Sequence, residues 1–238
     1  MPDSRKHRGP HPDDQRLFAG QQIDKLRDAV ADLSWLLTRS YAADSALKLV
    51  GDRYQLEARQ RNAVRRSSCS DLQLASRKEK QIDLNVQGID CLLIDGFNVL
   101  TTVEAALSGA VVLCCRDGCF RDIASMHGSF RKVEETLPAI QLIGQTLAKL
   151  QVARCVWYFD RPVSNSGRIR DVVKRAADEK GWEWLAELEM NPDQVLCAAN
   201  QPIASSDSAI LDRCDKWLNL ARICVESSVG SAWVLSLA

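Results

Sequence analysis

Short apolar runs that lead into an aspartate recur four times in this chain of 238 residues. A short apolar run bounded by polar residues is typical of a buried strand in a parallel sheet. The four runs, with their aspartates, span residues 91–95, 111–117, 155–160 and 202–207. Because the carboxyl ends of parallel strands open onto one crevice, this pattern predicts that Asp95, Asp117, Asp160 and Asp207 converge there.

Converging carboxylates predict a metal site. Carboxylates repel one another unless a cation lies between them, and hard divalent ions prefer oxygen ligands. Asp95, Asp160 and Asp207 are the strongest candidates because each also lies in a recognisable local motif. Asp117 is followed by glycine, and Asp-Gly is a common turn pair, so a turn residue is an equal alternative for it.

The second half of the chain alternates between strand and helix patterns, which predicts βαβ units and a mainly parallel sheet. Strands are expected at 90–94, 110–115, 154–159, 183–189 and 201–205. Helices are expected at 98–107, 133–150, 166–180 and 207–214, and residues 216–238 hold a further apolar segment of unassigned structure.

The first half of the chain has a mainly helical pattern. The sequence predicts an extended arm at residues 1–15, an all-α domain at 16–70 and a polar connector at 71–88, followed by the α/β domain at 89–238. Apolar residues at steps of three and four form one helical stripe, made of Ile23, Leu26, Val30, Leu33, Leu36 and Leu37. A second helix is expected to end at Gly51 and a third to cover 56–66.

The third helix is strongly basic, with Arg59, Arg61, Arg65 and Arg66. Together with the preceding helix and the glycine between them, it resembles a helix-turn-helix in outline. These arginines predict a grip on nucleic-acid phosphates rather than base reading. A solvated basic face is the alternative.

Composition bounds the class of protein. No apolar stretch is long enough to span a bilayer, and the polar N-terminus lacks the apolar centre of a signal peptide, so a cytoplasmic location is expected. The nine cysteines show no zinc-site spacing, and the odd number in a protein without a secretion signal argues against a disulfide framework. Buried thiols are expected instead.

Three short motifs resemble a PIN-like nuclease domain of the NYN type. They are Asp-Gly-Phe-Asn at 95–98 after the first strand, Trp-Tyr-Phe-Asp at 157–160, and Ser-Asp-Ser-Ala at 206–209 before a helix. The resemblance covers residues 88–215 and implies a Rossmann-like, three-layer, mainly parallel sheet, here with an N-terminal all-α domain. It also implies an acidic Mg²⁺ or Mn²⁺ site that hydrolyses RNA phosphodiesters. The whole chain resembles an uncharacterised prokaryotic family.

The resemblance assigns roles to individual residues. Asp95, Asp160 and Asp207 match the catalytic, metal-binding acids, and Glu104 and Asp212 match more weakly; Asp117 has no clear counterpart in the family pattern. The predicted substrate-binding residues beside them are Asn98, Arg161, Arg116, Arg121, Ser206 and Ser208. Cap, turn and ion-pair roles are the alternatives for Asn98, Asp117 and Asp122.

RNA is the expected partner, no membrane partner is expected, and a homo-oligomeric state is left open. The leading function is a metal-dependent RNA hydrolase. The alternative is a catalytically inactive protein that keeps the fold and binds RNA or a partner. A phosphatase of the haloacid-dehalogenase type is disfavoured, because that family carries a second aspartate where this chain has Phe97.

Overall fold

The computed structural model describes residues 7–83, 88–123 and 130–238. The front of the chain is helical and consists of α1 (Asp14–Leu17), α2 (Gly20–Thr38), α3 (Ala43–Arg53), α4 (Ala58–Ser67) and α5 (Asp71–Lys80). The next elements are β1 (Ile89–Asp95), α6 (Gly96–Leu107), β2 (Val112–Cys114), β3 (Phe120–Asp122), α7 (Thr136–Lys149) and β4 (Val152–Asp160). The last are α8 (Ser166–Lys180), β5 (Trp184–Glu189), α9 (Pro192–Cys197), β6 (Ile203–Ala204), α10 (Ser208–Arg213), β7 (Trp217–Leu218), α11 (Leu220–Ser228) and β8 (Val234–Ser236).

A five-stranded parallel sheet forms the centre of the α/β part, in the order β5-β4-β1-β6-β7. Its central strand is apolar on both faces, which explains the continuous apolar run in the sequence. Leu92 and Ile94 face α6, α7, α8 and α11, whereas Leu93 faces α9 and α10 with Ile203 and Trp217. The mixed α/β class predicted from the sequence, with a helical region in front, is confirmed.

A second, smaller sheet has the order β3-β2-β8. Strand β2 pairs antiparallel with β3 and parallel with β8, so the run at 111–117 does not belong to the main sheet. The prediction that all four aspartates follow strands of one sheet is therefore wrong for Asp117. An apolar run signals burial, but it does not identify the partner strand, and β2 is buried on both faces by helices.

The small sheet joins the helical front to the α/β part. One face, with Leu113 and Leu235, shares a core with Leu26 and Leu33 of α2. The other face, with Val112, packs on α6 and α11. The front of the chain therefore has no core separate from the rest, and its helices are fixed against the α/β layers.

Several expected boundaries differ in the structure. Residues 71–80 of the predicted connector form α5, a polar helix whose buried side chain is Arg77. The predicted arm enters α1 at Asp14, and residues 1–6 of that arm and 84–87 of the connector lie outside the described residues. Gly51 does not end its helix, because α3 continues to Arg53 and the glycine instead admits the guanidinium of Arg61.

Helix α8 has the predicted bounds of 166–180, whereas β6 is shorter than the predicted strand at 201–205. Strand β3 and helix α9 were not predicted from the sequence, and the unassigned segment 216–238 forms β7, α11 and β8. Within the described ranges, no helix has the length and apolar character needed to cross a membrane.

Gly96, which opens α6, provides a test of this packing. A Cβ at Gly96 would overlap the ring of Phe159, whereas a Cβ at Gly167, in the first turn of α8, would meet nothing within 4 Å. We expect Gly96→Ala to lower the free energy of unfolding by about 1–3 kcal/mol through overpacking. Gly167→Ala should be neutral or raise it by up to about 1 kcal/mol. Urea denaturation measures both, and equal stability of the two variants would contradict the packing.

Candidate functional site

The strand order of the main sheet reverses beside β1. The chain places β4 and β5 on one side of that strand and β6 and β7 on the other. In open α/β sheets, ligands bind in the crevice at such a reversal, outside the carboxyl ends of the strands. Asp95 is the last residue of β1, and Ser205, Ser206 and Asp207 follow β6. Two of the predicted aspartates therefore lie at the switch point.

Hydrogen bonds connect Asp95 to Asp207. The hydroxyl of Ser205 donates to Asp95 Oδ2 at 2.7 Å and accepts from the backbone N–H of Asp207 at 3.0 Å. Asn98 holds the same loop, since its Oδ1 accepts from the backbone N–H and from the hydroxyl of Ser206, both at 2.8 Å. Asn98 and Ser206 thus position the loop that carries Asp207.

Asp207 also caps a helix. Its Oδ1 accepts from the backbone N–H groups of Ala209 at 2.7 Å and Ile210 at 3.3 Å, in the first turn of α10. Aspartate is a favoured residue at this position before a helix. The second carboxylate oxygen, Oδ2, has no hydrogen-bond donor among the described residues. One oxygen of Asp207 therefore remains available to a ligand.

The charges at this edge of the sheet are poorly compensated. The pKa of Asp95 is raised to about 7, chiefly by burial and also by the negative charges of Asp207 and Asp193, against the opposing hydrogen bond from Ser205. Burial also raises the pKa of Asp193, together with the charges of Asp207 and Asp160, and burial raises the pKa of Asp160. We call Asp95, Asp160, Asp193 and Asp207 the strand-end acid group.

The strand-end acid group does not close into a single coordination sphere. In the part of the chain that the structure describes, no three His, Cys, Asp or Glu side chains are arranged to hold a metal ion. Strand register accounts for the position of Asp160. Asp95 pairs with Tyr158, so Asp160 lies two residues further along β4, which is about 7 Å at roughly 3.3 Å per residue. Asp95 and Asp207 are the pair that the fold brings together.

Asp117 does not belong to the candidate metal site. Its Oδ2 accepts from Arg77 Nη1 and from Arg121 Nη2, both at 2.6 Å, and its Oδ1 accepts from Arg121 Nη1 at 2.9 Å. Burial alone would raise the pKa of Asp117, but the two guanidinium groups lower it to about 2. Both oxygens are occupied by arginines, so the predicted metal-ligand role is not supported.

Two further predicted metal ligands have structural partners instead. Glu104 is fully buried on α6, where it accepts from Arg8 of the N-terminal arm and from Thr136 Oγ1 at 2.6 Å. Asp212 accepts from Arg77 Nε and Gln73 Nε2 of α5, both at 2.7 Å. Both carboxylates are therefore engaged away from the strand-end acid group, Glu104 by the arm and α7 and Asp212 by α5.

The predicted substrate-binding arginines are also dispersed. Arg121 is buried and donates to Asp117, to the carbonyl of Ser206 at 2.6 Å and to that of Arg66 at 3.1 Å. Arg116 donates to the carbonyl of Cys69 and to Asp71. Both side chains therefore have partners within the fold. Arg161 is exposed after β4, with one weak contact to the Leu188 carbonyl, and Ser208 opens α10 beside the switch point.

The four arginines predicted to grip nucleic acid divide into two pairs. Arg59 binds the buried Asp14 through two hydrogen bonds, and Arg61 donates to Asp52 and to two carbonyls of the helical front. Arg65 and Arg66 instead line a pocket that also contains Asn98, Ser206, Asp207 and Ser208. Arg59 and Arg61 therefore have partners within the helical front, whereas Arg65 and Arg66 line the pocket beside the switch point.

Two important residues were missed. Asp193 follows β5 in the sequence Asn-Pro-Asp, and the strand-end rule would have identified it had the rule been applied to the strand at 183–189. Arg77 lies in the segment read as a connector, and no sequence signal marked it. Asp122, considered as a surface partner of Arg121, is instead buried against Thr101 and Thr102, and its Oδ1 has no donor among the described residues.

The raised pKa of Asp95 predicts a pH-dependent stability. Between about pH 4 and pH 7 the folded protein keeps a proton that the unfolded chain releases, so the free energy of unfolding falls as pH rises. Asp95→Asn removes the buried charge, and with chelator present its stability relative to wild type should rise by about 2–4 kcal/mol from pH 4.5 to pH 8. Denaturant titrations measure this.

Asp90→Asn is the control, because Asp90 is exposed on the same strand. Its difference from wild type should stay constant with pH. A difference between Asp95→Asn and wild type that does not change with pH would contradict the buried position of the Asp95 carboxylate.

The Asp117 ion pairs predict a large stability effect. Asp117→Asn leaves the buried guanidinium groups of Arg77 and Arg121 without their shared countercharge, so we expect a loss of about 3–5 kcal/mol in the free energy of unfolding. Asp71→Asn removes an exposed partner of Arg116 and should cost about 0–1 kcal/mol. Comparable losses in the two variants would contradict the account.

Comparison with known proteins places the chain among relatives of unknown function. An uncharacterised protein of Methanocaldococcus jannaschii, MJ0935, is 29% identical over 186 residues, which cover 78% of this chain and 88% of that protein. No solved structure matches the chain. Residues 25–80, the helical front, match a protein family of unknown function, DUF434. Residues 85–223, more than half of the chain, match the domain of unknown function DUF5616, and the chain therefore belongs to the DUF5616 family.

Proposed function

We propose that this protein is a divalent-metal-dependent nuclease that hydrolyses RNA phosphodiester bonds at the switch point, with Asp95 and Asp207 as the metal-binding pair. The observation that carries the proposal is the position of the Ser205 hydroxyl at the reversal of strand order. It donates to the Asp95 carboxylate and accepts from the backbone N–H of Asp207, so the two aspartates are neighbours there. The finer fold assignment, a PIN-like domain of the NYN type, belongs to the same proposal. It is supported by the motif 95–98, which supplies both Asp95 and Asn98.

The donor set fits a hard cation. The pKa of Asp95 is raised by burial and then by the like charges of Asp207 and Asp193, so a cation in the crevice would relieve both repulsion and desolvation. Mg²⁺ often takes only one or two protein carboxylates and keeps several waters. A pair of aspartates therefore suffices for Mg²⁺ or Mn²⁺, with Asp193 near enough to Asp95 to act through its charge.

The side chains at the switch point have different roles in the proposed reaction. Asp95 and Asp207 hold the cation, while the Ser205 hydroxyl holds the Asp95 carboxylate next to the backbone of Asp207, and Asn98 holds the loop. When bound, the cation lowers the pKa of a bound water and stabilises charge on the phosphate. Arg161, exposed at the end of β4, supplies a positive charge for the outgoing strand of RNA.

Metal binding and cleavage together test the proposal. We expect Mn²⁺ to raise the melting temperature of the wild type, and the Mn²⁺-loaded protein to cleave a single-stranded RNA. Asp207→Asn should abolish the Mn²⁺ shift and slow cleavage by about 100-fold or more, since it removes one of the two proposed ligands. The fold should survive, because asparagine caps a helix as well as aspartate does.

Asp178→Asn, on the exposed side of α8, is the matched control and should keep both the shift and the cleavage. A wild type without any Mn²⁺ shift, or an Asp207→Asn protein that cleaves at the wild-type rate, would rule out the proposed site.

The second candidate is an RNA-binding protein that keeps this fold without catalysis. It is favoured by the finding that, among the described residues, no three acidic, histidine or cysteine side chains gather around one point. Binding of RNA by the wild type with no Mn²⁺-dependent cleavage would select this candidate.

A further inference from the structure

A pocket of about 420 Å³ lies between the helical front and the switch point. Its apolar wall is formed by Leu33 and Leu37 of α2 and Ala43 of α3. Its polar wall comes from the loop after β6 and from α4, and includes Asp207 and Arg66. A volume of this size lies at the lower end of the range for small-molecule sites. The pocket thus connects directly to the proposed metal site through Asp207.

The four arginines that line this pocket differ in whether their side chains have a partner. Arg65 pairs with Asp44, Arg77 with Asp117 and Asp212, and Arg121 with Asp117. Arg66 has neither an ion pair nor a side-chain hydrogen bond within the described ranges, and its Nε is buried without an acceptor.

A buried guanidinium nitrogen without an acceptor is costly, because that nitrogen has lost its water and gained no hydrogen bond in return. An anionic ligand would supply the missing acceptor, and phosphate oxygens match the planar donors of arginine in pairs. The carbonyl of Arg66 accepts from Arg121, so its backbone is fixed while its side chain remains unpaired. The side chain is therefore available to a ligand in the pocket.

We propose that this pocket binds one nucleoside monophosphate unit of a single RNA strand, with the phosphate on Arg66 and the nucleoside against the apolar wall of Leu33, Leu37 and Ala43. The identity of the ligand as RNA rests on the proposed function. The geometry adds the position, since the helical front forms one side of the pocket and Asp207 lies in its polar wall. Because the pocket holds one nucleotide and no paired base, the protein binds single-stranded rather than double-stranded RNA in this proposal.

Binding without metal tests this inference separately from catalysis. A 3′-labelled hexauridylate is titrated with protein in EDTA, and fluorescence anisotropy is measured at several salt concentrations. We expect Arg66→Met to weaken binding about 10-fold or more and to lower the slope of log affinity against log salt by about 0.7, as for the loss of one phosphate contact on a single strand. Arg66→Lys should recover part of the affinity, since it restores the charge without the paired donors.

Further variants test whether a change in net charge or a loss of folding explains the weaker binding. Arg175→Met removes one positive charge from the exposed face of α8, outside the pocket, and should bind as the wild type does. Arg66→Met should melt at or above the wild-type temperature, because it removes a charge without a partner. Ala43→Glu adds a carboxylate to the pocket wall at the exposed first turn of α3, where an acidic residue suits the helix, and should block binding.

Competition identifies the ligand unit. Uridine 5′-monophosphate should displace the hexauridylate, whereas uridine and inorganic phosphate should do so at least about 10-fold less well. Equal competition by inorganic phosphate would overturn the role of the apolar wall. Unchanged binding by Arg66→Met would overturn the pocket even if Asp207→Asn abolishes cleavage. Loss of binding in Arg66→Met without any Mn²⁺-dependent cleavage would leave the pocket standing and refute the nuclease.

Discussion

The buried carboxylate of Asp117 is the interaction on which the arrangement of this protein depends. It lies between two buried guanidinium groups, Arg77 from α5 and Arg121 from β3, with every close contact at 2.6–2.9 Å. Arg121 then donates to the carbonyl of Ser206, and Arg77 donates to Asp212 on α10. One negative charge thus ties the helical front and the small sheet to the loop after β6. Removing it would leave the buried Arg121 without a countercharge and Arg77 with Asp212 alone, so these elements are held together by a charge that the interior cannot lose cheaply.

The ion pairs of Asp117 also help to fix the loop at the switch point. The loop at 205–207 is held from one side by Arg121 and from the other by Asn98, so Ser205 can join Asp95 to Asp207 at a fixed distance. The helical front adds the pocket that Arg66 lines. Asp207 and the unpaired Arg66 line the same pocket, a combination suited to a cation and a phosphate together. The proposed nuclease activity uses both.

Local patterns in the sequence predicted the main sheet and the pair at its switch point. Strand-end position and the Asp-Gly-Phe-Asn motif led to Asp95, and the Ser-Asp element led to Asp207. The partners of a strand are non-local, which is why β2 was placed in the wrong sheet and Asp117 in the wrong role. Ion pairs across long separations, such as Arg77 with Asp117 and Arg8 with Glu104, also leave no periodic signal. Register explains why Asp160 lies beyond the pair, and register cannot be read from one strand alone.

The most direct test of the central claim is anomalous diffraction from crystals of the protein grown with Mn²⁺. The account predicts a manganese peak at the switch point, with carboxylate oxygens of both Asp95 and Asp207 at about 2 Å from the ion. The peak should be absent from crystals of Asp207→Asn grown in the same way. A peak elsewhere, or a switch point without manganese at saturating concentration, would contradict the claim that this pair of aspartates is a metal site.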